Sequence, residues 1–247
     1  MTDATKLEVL DVDGAIRETA HDAMETLEAE GDTRLDFFKK AGIAGGAAMG
    51  SGAVLSALVP GVAMAANGAP PAAIFGKGDV GILQFALQLE YLESAFYNEA
   101  TKNQAKSRFL KTKQLQVFLK TVTKDEAFHV KFLKTGLGSA ALPPPKFDFG
   151  GDTSNAKQFI IKSKTFENEG VHAYLGQAGN LQSPKFLGAA ASILTIEARH
   201  AAVIGFIAAT TETGITPDGP LDVPFTANKV LSDVKGLHYI KSGPLKS

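Results

Sequence analysis

"DEAFHVKFL", residues 125–133, places a glutamate and a histidine three positions apart inside a run with helical periodicity. At that spacing Glu126 and His129 leave a helix on the same side. The residues around them decide what the pair means. Leu119, Val122, Val130 and Leu133 lie seven and four positions before and four and seven positions after Glu126, so the carboxylate falls on the apolar stripe. A carboxylate turned into a core is costly unless something compensates its charge, and His129 on the same face is the first candidate.

With 13 glutamates and five histidines scattered among 247 positions, well under one Glu-x-x-His pair is expected by chance, and the sequence holds four. Glu18/His21 sits off its local stripe of Ile16, Ala20, Met24 and Leu27 and reads as a solvated pair. Glu169 and His172 lie roughly 200° and 140° around the helix from Glu167, whose face carries Gly170, Val171 and Tyr174. This pair is therefore expected to face solvent. Glu197/His200 repeats the pattern of Glu126/His129, with Ala190, Ile193, Ala201 and Ile204 at the same four offsets from the glutamate. Two core glutamates, each with a histidine on its own face and each on a different helix, point to a metal site.

The periodicity predicts four long helices, over about 78–102, 112–135, 155–178 and 184–210. The first carries "EYLESAFY" (90–97) and the third "ENEGVHAY" (167–174), both Glu-x6-Tyr with the glutamate on the inward face. The order Glu-x6-Tyr, Glu-x-x-His, Glu-x6-Tyr, Glu-x-x-His is an internal repeat of a helical hairpin. Between the second and third helices, "TGLGSAALPPPKFDFGGDTSN" (135–155) is too rich in proline and glycine to continue a helix. No strand alternation of useful length is present. The fold class is all-α, a four-helix bundle in which a long crossover lets helix three run parallel to helix two.

These residues resemble the ferritin-like superfamily of di-iron carboxylate proteins, in which two helices give one glutamate each and two give Glu-x-x-His. "LQLEYLESAFYNEA", "DEAFHVKFL" and "FENEGVHAYLG" are closer still to the exported ferritin-like family that includes plant desiccation-associated proteins. The resemblance covers about residues 77–210. It implies a centre of two iron ions, or alternatively manganese, on Glu90, Glu126, His129, Glu167, Glu197 and His200. Glu93, one turn after Glu90, is an alternative or extra ligand. Two divalent cations would balance the four carboxylates, so the filled site tolerates burial, whereas the empty one crowds like charges. Asp125 is a candidate acceptor for a ligand histidine of another helix. Tyr97 and Tyr174 are candidates for hydrogen-bonding the ligand carboxylates or carrying redox equivalents, with core packing as the plainer role.

Composition narrows the function. No cysteine is present, which removes iron–sulfur clusters, thiolate zinc sites and any rubredoxin-type iron. A formal net charge of -1 gives no reason to expect nucleic acid as a partner. Residues 1–40 are charged, whereas 41–76 carry no charge, are dominated by Gly and Ala, and contain "AMA" at 63–65. That arrangement reads as an export signal cleaved near 65. "TRLDFFK" (33–39) resembles the twin-arginine pattern, with Leu35 where the second arginine would stand. A Sec signal, a retained anchor and a Gly/Ala linker are the alternatives.

The expected organisation is thus an export region over 1–76, a bundle over 77–212, and a C-terminal loop with a short helix over 213–247. Such a protein would be exported to the periplasm, envelope or exterior, with no stable membrane span once the signal is removed and its oligomeric state open. It would act as a di-metal oxidoreductase of ferroxidase or peroxidase type, with dioxygen or peroxide as partner. A manganese catalase activity is a further variant. The rival is a non-catalytic stress- or desiccation-associated protein with a structural or vestigial metal site.

Overall fold

The computed structural model describes residues 71, 73–208 and 221–246. The proposed export signal, the Glu18/His21 pair and most of the loop expected after the fourth helix lie outside the described residues. The four long helices are α1 (Gly78–Ser107), α2 (Lys113–Leu137), α3 (Ala156–Ala178) and α4 (Pro184–Ala208). A shorter α5 (Ala227–Gly236) follows.

Local chemistry sets the ends. Thr112, Asn155 and Thr226 have extended backbones and accept a hydrogen bond from the backbone N–H three residues on, which caps α2, α3 and α5. Pro184 opens α4, at a position where a missing N–H is harmless. Asp79, in the first turn of α1, reaches across to accept from the backbone N–H groups of Gln182 (2.8 Å) and Ser183 (2.9 Å). The turn before α4 is thereby tied to the start of α1.

The helices pair as two hairpins, α1 with α2 and α3 with α4, joined by the crossover at 138–155. Directions follow from cross-helix contacts. Between α1 and α3, Tyr97 meets Glu167 and Tyr174 meets Glu90, so these helices are antiparallel. Between α2 and α4, His129 meets Glu197 and His200 meets Glu126, again antiparallel. Since α1 and α2 form a tight hairpin, α2 runs parallel to α3, as the length of the crossover predicts.

The crossover is fastened along α1. The Gln84 side chain accepts from Leu142 N (3.0 Å) and donates to Ala140 O, and Tyr91 donates to Leu142 O. It also holds a short strand, β1 (Lys146–Phe147), paired antiparallel with β2 (Ile240–Ser242) near the C-terminus. This ladder is absent from the sequence expectation because two or three residues are too few to show alternation.

Two apolar layers flank the centre of the bundle. One is aromatic: Phe96 packs edge-to-face on Phe149 and Phe166 at centroid distances of 5.3 and 5.0 Å and stacks with Phe159 at 5.8 Å. Such ring pairs add about 0.5–1.5 kcal/mol each beyond burial. The other is mostly aliphatic, with Ile82, Leu83, Leu87, Leu133, Leu137, Leu181 and Ile193. Between these layers lies a belt of buried charge.

Candidate metal centre

Every candidate ligand is buried. Glu126, Glu167 and Glu197 are 0% exposed, Glu90 is 1%, His129 4% and His200 6%. Each arrives on a regular helix, so its position is fixed by backbone hydrogen bonding and by the apolar neighbours one and two turns away.

His129 Nδ1 faces three carboxylate oxygens at once: Glu126 Oε2 at 3.1 Å, Glu90 Oε2 at 3.2 Å and Glu197 Oε1 at 3.2 Å. His200 Nδ1 faces Glu167 Oε2 at 3.1 Å and Glu126 Oε1 at 3.2 Å. One ring nitrogen carries one proton at most, so it cannot satisfy all of them. Accordingly Glu90 Oε2, Glu126 Oε1 and both oxygens of Glu197 are buried with no hydrogen-bond partner. Orphaned acceptors at this depth cost roughly 1–3 kcal/mol each, more when charged. Two overlapping groups emerge, Glu90/Glu126/His129/Glu197 and Glu126/Glu167/Glu197/His200, each with its ligand-type atoms within 4.8 Å of one another. Glu126 and Glu197 belong to both.

The outer carboxylates are held by tyrosines from the opposite helix. Tyr174 donates to Glu90 Oε1 (2.6 Å), and Tyr97 donates to Glu167 Oε1. Burial and the adjacent carboxylate push both phenols well above their ordinary pKa, so each O–H remains a donor. Asp125, the residue before Glu126, takes the far nitrogen of His200, with Nε2 to Oδ2 at 3.1 Å. Glu93 is buried at 4% exposure on the same side of α1 as Glu90. It falls outside both groups of converging ligand atoms.

Crowding governs the protons. Burial, followed by hydrogen bonds to the histidines that only partly offset it, raises Glu126 to about 7. Burial and the charge of Glu126 raise Glu197 well above the carboxylate range. Burial, then the charges of Glu197, Glu126 and Glu90, do the same to Glu93. For the histidines burial acts in the opposite sense, disfavouring the imidazolium. Hydrogen bonds to Glu126 and Glu167 nevertheless outweigh it and lift His200 to about 11. His129 is raised too, by Glu126, Glu197 and Glu90. The raised histidines show that the carboxylate cluster favours positive charge at its centre, and a divalent cation would bring the same sign of charge with more of it.

The donor set fits metal ions. Oxygen and nitrogen ligands about 2.1 Å from one ion and at right angles are about 3 Å from each other, close to the separations seen here. Carboxylate and imidazole together suit iron, manganese or zinc. The buried Glu/His cluster is therefore compatible with a metal site.

The ferritin-like domain family matches residues 78–209, more than half of the chain. The chain belongs to the ferritin-like domain family. No curated protein matches it. The ferritin-like bundle brings together all six candidate ligands, with Tyr97, Tyr174 and Asp125 hydrogen-bonded to them and Glu93 outside both groups.

One expectation is corrected. Glu169 and His172 do not face solvent. The segment from 221 onward covers that face of α3: His172 is 6% exposed, stacks on Phe225 at 4.1 Å and bonds Val223 O through Nδ1 (2.6 Å). Gly176 permits this, since a Cβ there would lie 1.8 Å from Phe225 O. Glu169 is half-buried, and burial followed by the charge of Asp233 raises it to about 7. Neither residue joins the Glu/His groups.

Gly170 is a residue that sequence reasoning left unassigned. A Cβ on it would meet Glu197 Oε2 at 2.8 Å, so the bare backbone makes room for that carboxylate. The available signal was its offset: Gly170 follows Glu167 by three, where α1 has Glu93 after Glu90.

Proposed function

We propose that this ferritin-like bundle holds two divalent first-row metal ions, iron first and manganese as the alternative, and acts as an oxidoreductase on ferrous iron, dioxygen or peroxide. The observation that carries the reading is the convergence of carboxylate oxygens from three helices on His129 Nδ1 and from two on His200 Nδ1, at 3.1–3.2 Å, with several oxygens left unpartnered. Glu90 and His129 would hold one ion, Glu167 and His200 the other, and Glu126 and Glu197 would be shared. A redox-active pair of ions held there would supply two electrons to an oxidant.

The chain's own residues prepare that chemistry. Tyr174 and Tyr97 each hold one oxygen of an outer glutamate and leave the other turned inward. The aromatic and aliphatic layers keep bulk water from the belt. Glu93 retains its carboxyl proton to higher pH than an ordinary glutamate, because burial and four neighbouring carboxylates oppose its ionisation. Residues 41–76, uncharged and containing the small-residue pattern "AMA" at 63–65, support export ahead of this activity. N-terminal sequencing of the mature protein tests cleavage near residue 65.

The activity is tested by loading metal-free protein anaerobically with ferrous iron and then mixing it with dioxygen or peroxide. The reading expects rapid oxidation of two irons per chain, and loss of that rate in Glu126→Ala and in Glu197→Ala. Stable binding of two ions with no accelerated oxidation of iron, and no turnover of peroxide by manganese-loaded protein, would leave the centre structural and defeat the oxidoreductase proposal.

A further inference from the structure

The two halves of the centre match in their glutamates, histidines and tyrosines but not in what supports the histidines. His200 is held at both nitrogens: Nδ1 faces Glu126 and Glu167, and Nε2 meets Asp125 Oδ2 at 3.1 Å. His129 makes its hydrogen bond through Nδ1 alone among the described residues. The position that would serve it by the repeat, one before Glu197, is Ile196, which has no polar atom to offer.

The difference has a direct consequence for metal binding. A neutral imidazole carries one N–H, and a carboxylate at Nε2 keeps the proton there, leaving the Nδ1 lone pair free to face the ion. The same contact fixes the ring plane and makes the nitrogen a better donor. For His129, tautomer and ring orientation have to be selected at the moment of binding, which weakens it. Resting on the two-metal reading above, we propose that Asp125 is a positioning residue that makes the two metal positions unequal. The position at Glu126, Glu167, Glu197 and His200 is the tighter and fills first. The position at Glu90, Glu126, Glu197 and His129 is the weaker and exchanges more readily.

The test is an anaerobic titration of the full chain with cobalt(II), followed by its absorption and by calorimetry. Two steps are expected, separated by about 10- to 100-fold in affinity, the range over which a hydrogen-bonded partner of a ligand histidine acts. Glu167→Gln removes the first step and Glu90→Gln the second. Asp125→Ala weakens the first step by about 10- to 100-fold, so that the two merge. Asp125→Asn, whose amide oxygen still accepts from Nε2–H, keeps most of the first step, a rescue that a general packing defect would not show. Ile196→Asp strengthens the second step.

Two steps of equal affinity in the unaltered chain would overturn the inference while leaving the two-metal reading intact. So would an Asp125→Ala variant with its gap unchanged, or a first step removed by Glu90→Gln or Glu93→Gln in place of Glu167→Gln. A chain that takes up no cobalt would overturn both.

Discussion

In the α1–α2 half of the centre, Glu90 is followed one turn on by Glu93, a fifth buried carboxyl. In the α3–α4 half, Glu167 is followed at the same offset by Gly170, and the vacated space is filled by Glu197. In the first half Asp125 precedes the shared glutamate, whereas in the second Ile196 does. The ligand-type residues repeat because they have to meet at one point between the two hairpins. The residues one shell further out are free to diverge, and they decide charge, space and orientation separately on each side. The repeat therefore sets where the ions would go, and the departures from the repeat set how each would be held.

Disturbing the space on one side sharpens this contrast most. Gly170→Ala places a methyl against Glu197 Oε2. It is expected to lower stability by about 1–3 kcal/mol, as overpacking does, and to displace a carboxylate that both positions share, so metal uptake falls at both. The matching change, Glu93→Gln, keeps volume and removes a crowded ionisable group. It should alter stability by less than about 1 kcal/mol and leave two ions bound. Urea unfolding and metal analysis of both variants check the pair, and equal damage from the two would contradict the asymmetry.

The protons give a second handle. His200 is raised to about 11 from an ordinary 6.5, so its contribution to metal-free stability is complete below 6.5 and is lost as pH climbs toward 11. Glu126 is raised to about 7 from 4.5, so its contribution is complete below 4.5 and is lost between 4.5 and 7. Both act in the same direction. The Tm of metal-free protein should fall by roughly 10 °C as pH rises from 5 to 8. Metal binding displaces these protons, so metal affinity should rise over the same interval. Scanning calorimetry with and without metal reads both slopes, and a metal-free Tm that rises with pH would contradict the charge picture.

The smallest expected difference lies between the tyrosines. Tyr97→Phe and Tyr174→Phe each remove one donor to a buried carboxylate, and each should cost about 1.5–3 kcal/mol in the metal-free state. Because these contacts obey the repeat, the two losses should agree to within about 0.5 kcal/mol. Chemical denaturation of the two variants measures the agreement.

The six ligand-type residues were legible in the sequence because helical period alone places Glu126 and Glu197 on apolar stripes and carries His129 and His200 with them. Glu90 and Glu167 followed from their shared offset to Tyr97 and Tyr174. The crossover was legible from proline and glycine between periodic runs, and its length dictated a parallel α2 and α3. Periodicity reports which face of a helix is apolar, but it cannot report what a distant segment lays over the other face. His172 and Glu169 were assigned to solvent for that reason, whereas the residues from 221 onward cover them. Likewise, Gly170 announces small size, and only the packed bundle shows that the space belongs to Glu197. The β1–β2 ladder is too short to leave a pattern.

The central claim, that Glu90, Glu126, His129, Glu167, Glu197 and His200 form one two-ion centre, is tested most directly by stoichiometry. Metal-free full chain is equilibrated anaerobically with ferrous iron, separated from unbound metal and analysed for iron per chain. The account predicts two ions per unaltered chain and essentially none in a Glu126→Ala/Glu197→Ala double variant that remains helical by circular dichroism. An unaltered chain that retains no iron, or a double variant that still retains two, would contradict it.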